Sequence, residues 1–384
     1  MMWPALFVSA SALIFHSYVL FPAHMLRLSR KKSIPAPSNQ EPPPWRVDVL
    51  MAAYNEAAVI VQKVHSVLQS NYPAAQLRLL VGSDASTDGT DALLQKMAAE
   101  YPGQLIWHRF EARTGKPPII NQLAASSQAD ILIVTDADAL FDANTITELL
   151  KPFSNPGVGG VQAHANIRIT EKDLVAQQEA SYTQREMEIK AGEGTLGAVI
   201  GGFGAAYAVR RTLFKAVPPG FIVDDFYTFA DISQQGYLTV FSATSITELR
   251  VSGDPKVQFR RKRRIGKGNF QNLWHFKSLL LPGTRLSYVF WSHKALRWLS
   301  PFLLLLAFTA AWAGSNEYTW LRWAAWGMST AIGLAGIDLV LQPLGISNRF
   351  MRFLSHFVLM NVALMLGFVD FIRGNRQVHW NNKA

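Results

Sequence analysis

Cysteine is absent from the 384 residues, which excludes disulfides and any thiolate metal site. Charge is scarce: Asp, Glu, Lys and Arg make up 17% of the chain, against 49% hydrophobic residues. That balance points to a soluble part joined to membrane segments. Acids are the scarcer sign, 27 against 37 Lys and Arg, which leaves a formal net charge of +10. Nucleic acid, anionic lipid and a phosphorylated substrate all satisfy such an excess. Where the charge falls along the chain separates them. No internal repeat is evident, and the length suits one large domain or two smaller ones.

Residues 4–26 are mostly apolar, interrupted by His16 and His24, and Arg27, Arg30, Lys31 and Lys32 follow at once. A cleaved signal peptide carries its positive charge before the apolar run. The order here predicts an uncleaved membrane helix over 1–28 with its basic end in the cytoplasm. A proline-rich linker is expected over 29–45. Near the other end, residues 296–313, 320–341 and 353–372 are apolar and each approaches the length of a bilayer span. Trp291, Trp298, Trp312, Trp320 and Trp323 suit interfacial positions. Four spans in all place Arg373, Arg376 and Lys383 outside, against the positive-inside rule, unless one apolar segment lies in the interface.

Between these ends the pattern alternates. "VDVLMAAYN", "LRLLVGSD", "QLIWHRF" and "ADILIVTDAD" read as strands. Helical stretches are expected at Glu56 to Ser70, Asp91 to Tyr101 and 117–128. Short apolar strands alternating with helices predict a doubly wound, mostly parallel α/β sheet. Ligands on such sheets sit beyond the carboxyl ends of the strands. Polar residues fall at those ends: Tyr54, Asn55 and Glu56 after the first, Asp84 and Asp88 after the second, Lys116 after the third, Asp136 and Asp138 after the fourth. An Asp-x-Asp pair alone is more often a turn or a helix cap than a metal site. Placed in a shared crevice, the pair offers hard oxygen ligands to Mg²⁺ or Mn²⁺ against a diphosphate.

"LMAAYNE", "GSDASTDGT", "GK", "TDADA", "GGFGAAYAVRR" and "VDDF" stand in the order seen in family-2 glycosyltransferases. The chain resembles the membrane-bound branch that includes cellulose, hyaluronan and poly-N-acetylglucosamine synthases, over roughly residues 45–275 and the flanking helices. The resemblance implies a nucleotide-diphospho-sugar transferase (GT-A) domain. It implies Asp225 as general base and Asp136 and Asp138 as holders of metal and diphosphate. Asp84 would face the uracil or ribose of a UDP-sugar. Ala53, Tyr54, Glu56, Lys116, Gly202 and Asp224 would join Asp84 and Asp136 around the substrates. An inverting transfer needs a carboxylate to take the acceptor's proton, and Asp224 beside Asp225 would raise its pKa by like-charge repulsion.

Residues 258–283 combine the run Arg260-Arg261-Lys262-Arg263-Arg264 with later aromatics. Nucleic-acid binding is one reading. Closeness to the spanning segments favours an amphipathic stretch on the membrane surface, with lipids and no nucleic acid as partners. The resembled synthases carry Gln-x-x-Arg-Trp here, which implies acceptor-side roles for Gln258 and Arg261. Lys262 stands where they have Trp, and the loss of a stacking surface speaks against long processive synthesis.

The expectation is thus a multi-pass enzyme of a bacterial inner membrane. Its cytoplasmic transferase domain spans 46–257, a basic interfacial segment 258–290 and transmembrane helices 291–384. It would move a hexose or N-acetylhexosamine from UDP, before GDP, to a lipid-linked or polysaccharide acceptor. The rival readings are a processive polysaccharide synthase, a catalytically silent scaffold for envelope assembly, and a phosphotransferase with Asp136 as nucleophile.

Overall fold

The computed structural model describes residues 1–30, 45–167, 174–249, 255–344 and 348–374. The proline-rich linker lies almost wholly outside the described residues, as do Lys31, Lys32, Arg376 and Lys383. The chain divides into two units. One runs from His24 through Leu249 and includes Thr284–Val289. The other combines Met1–Ala23, Pro255–Gly283 and the chain from Phe290 onward. The basic segment expected over 258–290 is therefore divided: its helix, Pro255–His275, belongs with the apolar helices.

The first unit is built on one mixed sheet. Its strands are β1 Val47–Ala53, β2 Leu77–Asp84, β3 Leu105–Phe110, β4 Ile131–Asp136, β5 Leu140–Phe141, β6 Val158–Ile167, β7 Ala206–Arg210 and β8 Leu238–Leu249. Their order is β3-β2-β1-β4-β7-β6-β8-β5. The first four run parallel, as the alternating pattern predicts. β7 is antiparallel to β4 and to β6, and β8 returns parallel to β6. Direction therefore changes at the β4–β7 seam and back again at β7–β6, and the short β5 runs antiparallel to β8.

Alternate residues feed opposite faces, because strand side chains alternate with a period of two. Val47, Val49, Met51, Ile131 and Ile133 join one core, beneath helices Ile60–Leu68 and Thr90–Glu100. Leu50, Ala52, Leu132 and Val134 join the other, beneath Lys116–Ser126. Strands buried on both faces read as unbroken apolar runs, which is why they were legible. The first helix starts at Ile60 rather than Glu56. Asn55 adopts φ +55°, and the Glu56 and Ala57 amides donate to Thr90 Oγ1 (2.9 Å) and Asp88 Oδ2 (3.1 Å). These bonds hold the segment as a loop.

Three helices among the described residues are long and apolar enough to cross a membrane: Met2–Ser29, Thr319–Leu341 and Arg349–Ile372. The segment expected at 296–313 is different. Arg285–Trp298 and Ser300–Ala313 form a pair bent by 64°. Pro301 sits in the first turn of the second member, where it cannot donate to the preceding turn and disfavours helix at Ser300.

The last helix packs on Pro255–His275 through small residues and an ion pair. Arg263 donates two bonds to Asp370 (2.6 and 2.7 Å). Phe270 lies edge-on to Phe368, centroids 4.9 Å apart. A Cβ on Gly367 would stand 2.7 Å from the Arg263 carbonyl oxygen and the Lys267 nitrogen, and backbone cannot give way as a side-chain tip can. Gly367→Val is expected to destabilise this pair by about 1–3 kcal/mol, the usual cost of overpacking. Thermal unfolding in detergent checks it, and a melting temperature equal to the native one would show that the two helices separate freely.

Candidate active site

Register brings the motif residues to one edge. Ala53 pairs with Ser83, Ala52 with Asp136, and Asp84 with Phe110, each at or near the carboxyl end of its strand. The loops after β1, β2, β3 and β4 therefore open on the same side. The seam adds β7, which arrives from the opposite direction, so the loop before it joins them. The Asp136 amide donates to the Gly204 carbonyl (2.9 Å).

Asp84 is fully buried. Its Oδ1 accepts from the Thr114 amide (2.5 Å), and its Oδ2 accepts from the Gly115 amide and Arg113 Nε (both 3.1 Å). The carboxylate thus organises the loop that leads to Lys116. Arg113, which the sequence reading passed over, also sits over the Tyr54 ring, its Cζ 3.3 Å from the centroid. Such a stack fixes both side chains through cation–π attraction. The cation three residues before Lys116 was the available signal. Asp88 holds a loop. It accepts from the Thr90 amide and hydroxyl and from the Ala57 amide.

Lys116 opens its helix and sits between acids. Its Nζ is 2.6 Å from Asp136 Oδ1 and 3.8 Å from Asp224 Oδ2. Burial opposes its charge, but Asp136 and Asp224 outweigh burial and hold its pKa well above the usual lysine value. Asp138 follows Asp136 by two residues and is half-buried.

Asp224 and Asp225 start helix Asp224–Gln234, where the helix dipole favours negative charge. The Asp225 carbonyl accepts from the Gly202 amide (3.1 Å), and its Oδ1 accepts from the Phe226 amide (2.7 Å). Burial, then the neighbouring Asp224, push the Asp225 carboxyl up to about 6, against the pull of Lys116. The Gly201–Gly204 loop needs its glycines at two points. Gly201 has φ +78° against Phe226, and a Cβ on Gly204 would overlap Asp136 Oδ2. From behind, Lys190 donates to the Gly201 carbonyl and the Ile200 amide donates to Glu193 (3.2 Å).

One buried cation was not expected. Lys63, on helix Ile60–Leu68, is completely buried. Burial lowers its pKa to about 7, with Asp138 and Asp136 working the other way. Its place on the apolar stripe with Ile60, Val64 and Val67 was the signal in the sequence.

Gln258 and Arg261 lie on helix Pro255–His275, the first buried and the second exposed, in the other unit. Among the described residues no group of three His, Cys, Asp or Glu side chains could hold a metal. Asp136 and Asp138 are the hard-oxygen pair at the strand edge. Gly204 leaves the Asp136 carboxylate one face clear of side chain.

The mixed sheet, four parallel strands followed by the reversed β7, with acids and a lysine gathered at the strand ends, is that of a glycosyltransferase of the GT-A fold. A mannosyltransferase from Pyrobaculum calidifontis, solved in complex with GDP-Man and Mn²⁺, shares that fold with a TM-score of 0.71 at 20% identity, over 97% of this chain and 99% of its own. The family model described as "Glycosyltransferase like family 2" matches residues 42–268, and the chain belongs to that family.

Two kinds of curated relative align in part. The beta-monoglucosyldiacylglycerol synthase of Nostoc sp. is 33% identical over 122 residues, 32% of this chain and 26% of the relative. The hyaluronan synthase of Streptococcus pyogenes is 25% identical over 144 residues, 37% of this chain and 34% of the relative. The chain spans between a quarter and about a third of the length of the curated relatives it matches.

Proposed function

We propose that this glycosyltransferase transfers a sugar, with inversion, from a UDP-sugar to a lipid-linked or polysaccharide acceptor at a membrane. The observation that carries the reading is Asp225. It is a carboxylate with its pKa at about 6, standing beside a second acid that Lys116 links to Asp136. A general base works best with a pKa near the operating pH.

In the proposed reaction Asp225 takes the proton of the acceptor hydroxyl as that oxygen attacks the anomeric carbon. The bond from that carbon to the diphosphate oxygen breaks on the opposite face. Asp136 and Asp138 would hold Mg²⁺ or Mn²⁺, which when bound would supply positive charge to the departing diphosphate. Lys116 holds Asp136 in place and adds a second positive charge nearby. Asp224 raises the basicity of Asp225. Its buried Oδ2 makes no hydrogen bond among the described residues, so it can accept one from a sugar hydroxyl. Asp84 acts through the loop it orders, presenting Arg113 stacked on Tyr54 beside the nucleotide.

A membrane location is favoured by the long apolar helices and by the exposed Arg260, Arg261 and Trp274 of helix Pro255–His275. Cations together with aromatics bind anionic lipid surfaces. The relative named for a glucosyl diacylglycerol, together with Lys262 in place of an aromatic, favours a short addition to a lipid acceptor. The test uses purified protein in lipid–detergent mixtures with labelled UDP- and GDP-sugars. Organic extraction separates lipid-soluble product from polymer, and NMR gives the anomeric configuration. A retained configuration would end the inverting reading, and a labelled polymer with little lipid-soluble product would restore the processive synthase.

The base also sets a pH dependence. Asp225 is active only when deprotonated, so kcat/KM is expected to fall as pH drops through about 6. Removing the neighbouring charge with Asp224→Asn lowers the Asp225 pKa, so the acid limb should move to lower pH. An acid limb that stays in place would show that Asp224 does not tune the base.

A further inference from the structure

We propose that Lys63 is a positioning residue that clamps the Asp136-Ala137-Asp138 turn in metal-binding shape. This rests on the reading of Asp136 and Asp138 as metal ligands. Helix Ile60–Leu68 presses Ile60, Val64, Val67 and Leu68 into the core, and Lys63 occupies the same buried face. An ammonium there is costly unless every proton finds a partner. Lys63 Nζ donates to Thr135 Oγ1 (2.8 Å) and to the Ala139 carbonyl oxygen. It also stands 3.8 Å from the centroid of the Phe141 ring.

The two oxygen partners are what make this a clamp. Thr135 immediately precedes Asp136, and Ala139 immediately follows Asp138. One ammonium therefore ties both ends of the tripeptide to one helix. Thr135 Oγ1 also donates to the Ala205 carbonyl (2.5 Å). The tie thus continues across the β4–β7 seam to the residue after Gly204, whose carbonyl receives the Asp136 amide.

Charge supplies the second half of the argument. Two carboxylates two residues apart repel each other when turned toward one ion. A buried apolar side chain of the same length would fill the space without opposing that repulsion. A lysine opposes it before any metal arrives, and its tethers fix the backbone on either side. Groups that orient metal ligands without touching the metal commonly change affinity by about 10–100-fold.

The experiment titrates Mn²⁺ into the full-length protein in detergent with saturating UDP, and with GDP in parallel. Free Mn²⁺ is read by electron paramagnetic resonance. Lys63→Met keeps an unbranched side chain one atom shorter and removes the charge and donors. It is expected to weaken Mn²⁺ binding by about 10–100-fold while metal-free nucleotide binding is kept. In turnover, the loss should fall mainly on the metal's half-saturation rather than on kcat. Thr135→Val removes one tether with Lys63 in place and should weaken Mn²⁺ in the same direction by less; it decides the matter if Lys63→Met does not fold. Asp138→Ala serves as the reference. If Asp138→Ala abolishes Mn²⁺ binding and the Lys63 or Thr135 variant binds it as the native protein does, the clamp is overturned and the ligand assignment stands. If Asp138→Ala also binds Mn²⁺ normally, the ligand assignment falls and the clamp with it.

Discussion

Asp225→Asn is expected to lower sugar transfer by about 10²–10⁴-fold, the usual range for a lost general base, with nucleotide-sugar binding near native. The substitution keeps the shape of the side chain. The Gly202 amide still finds the residue's backbone carbonyl, and the Phe226 amide still finds a side-chain oxygen. What goes is the ability to accept a proton at neutral pH. Single-turnover transfer and calorimetric binding, measured on the same preparation, separate the two effects. Near-native transfer would mean that another group takes the proton. A matching loss of binding would mean that Asp225 holds substrate rather than activating it.

Asp138→Ala is the second large effect. We expect it to remove most of the Mg²⁺- or Mn²⁺-dependent gain in UDP affinity, because a site with two carboxylate ligands loses one. Binding measured without metal should change little, since Lys116 and the Asp84 loop remain. Asp136 is a poorer choice for this test. It also carries the ion pair with Lys116 and the amide bond to Gly204, so its loss would mix several causes. Calorimetry with and without metal gives the answer, and an undiminished metal effect in the variant would remove Asp138 from the ligand set.

The parallel half of the sheet was legible because burial on both faces leaves unbroken apolar runs, and because loops after parallel strands must share an edge. Asp84, Lys116, Asp136 and Asp138 could be placed there from sequence alone. The mixed half beyond β4 was not. β6 and β8 run 10 and 12 residues, with a register shift between Ala163 and His164, and their partners are set by tertiary packing. The pattern placed Asp84 at the strand edge but gave no sign that its oxygens accept from Arg113 and the Thr114 and Gly115 amides. Lys63 and Arg113 escaped notice for a related reason. A lone lysine on a helix or arginine in a loop reads as a solvated charge until its neighbours in space are known. The bend before Pro301 had a local signal, but hydropathy alone reads through it.

The reversal of strand direction at β4–β7 bears on how such a chain can change over evolution. The parallel strands carry the residues assigned to the nucleotide, and the segment beyond the seam carries Asp224 and Asp225. The two halves meet at the β4–β7 pairing, share both hydrophobic cores, and are tied by bonds such as Asp136 to Gly204, Thr135 to Ala205 and Asn121 to Val217. A substitution in one half must therefore keep the packing of the other. The residues at the seam are the ones such a lineage can least freely exchange.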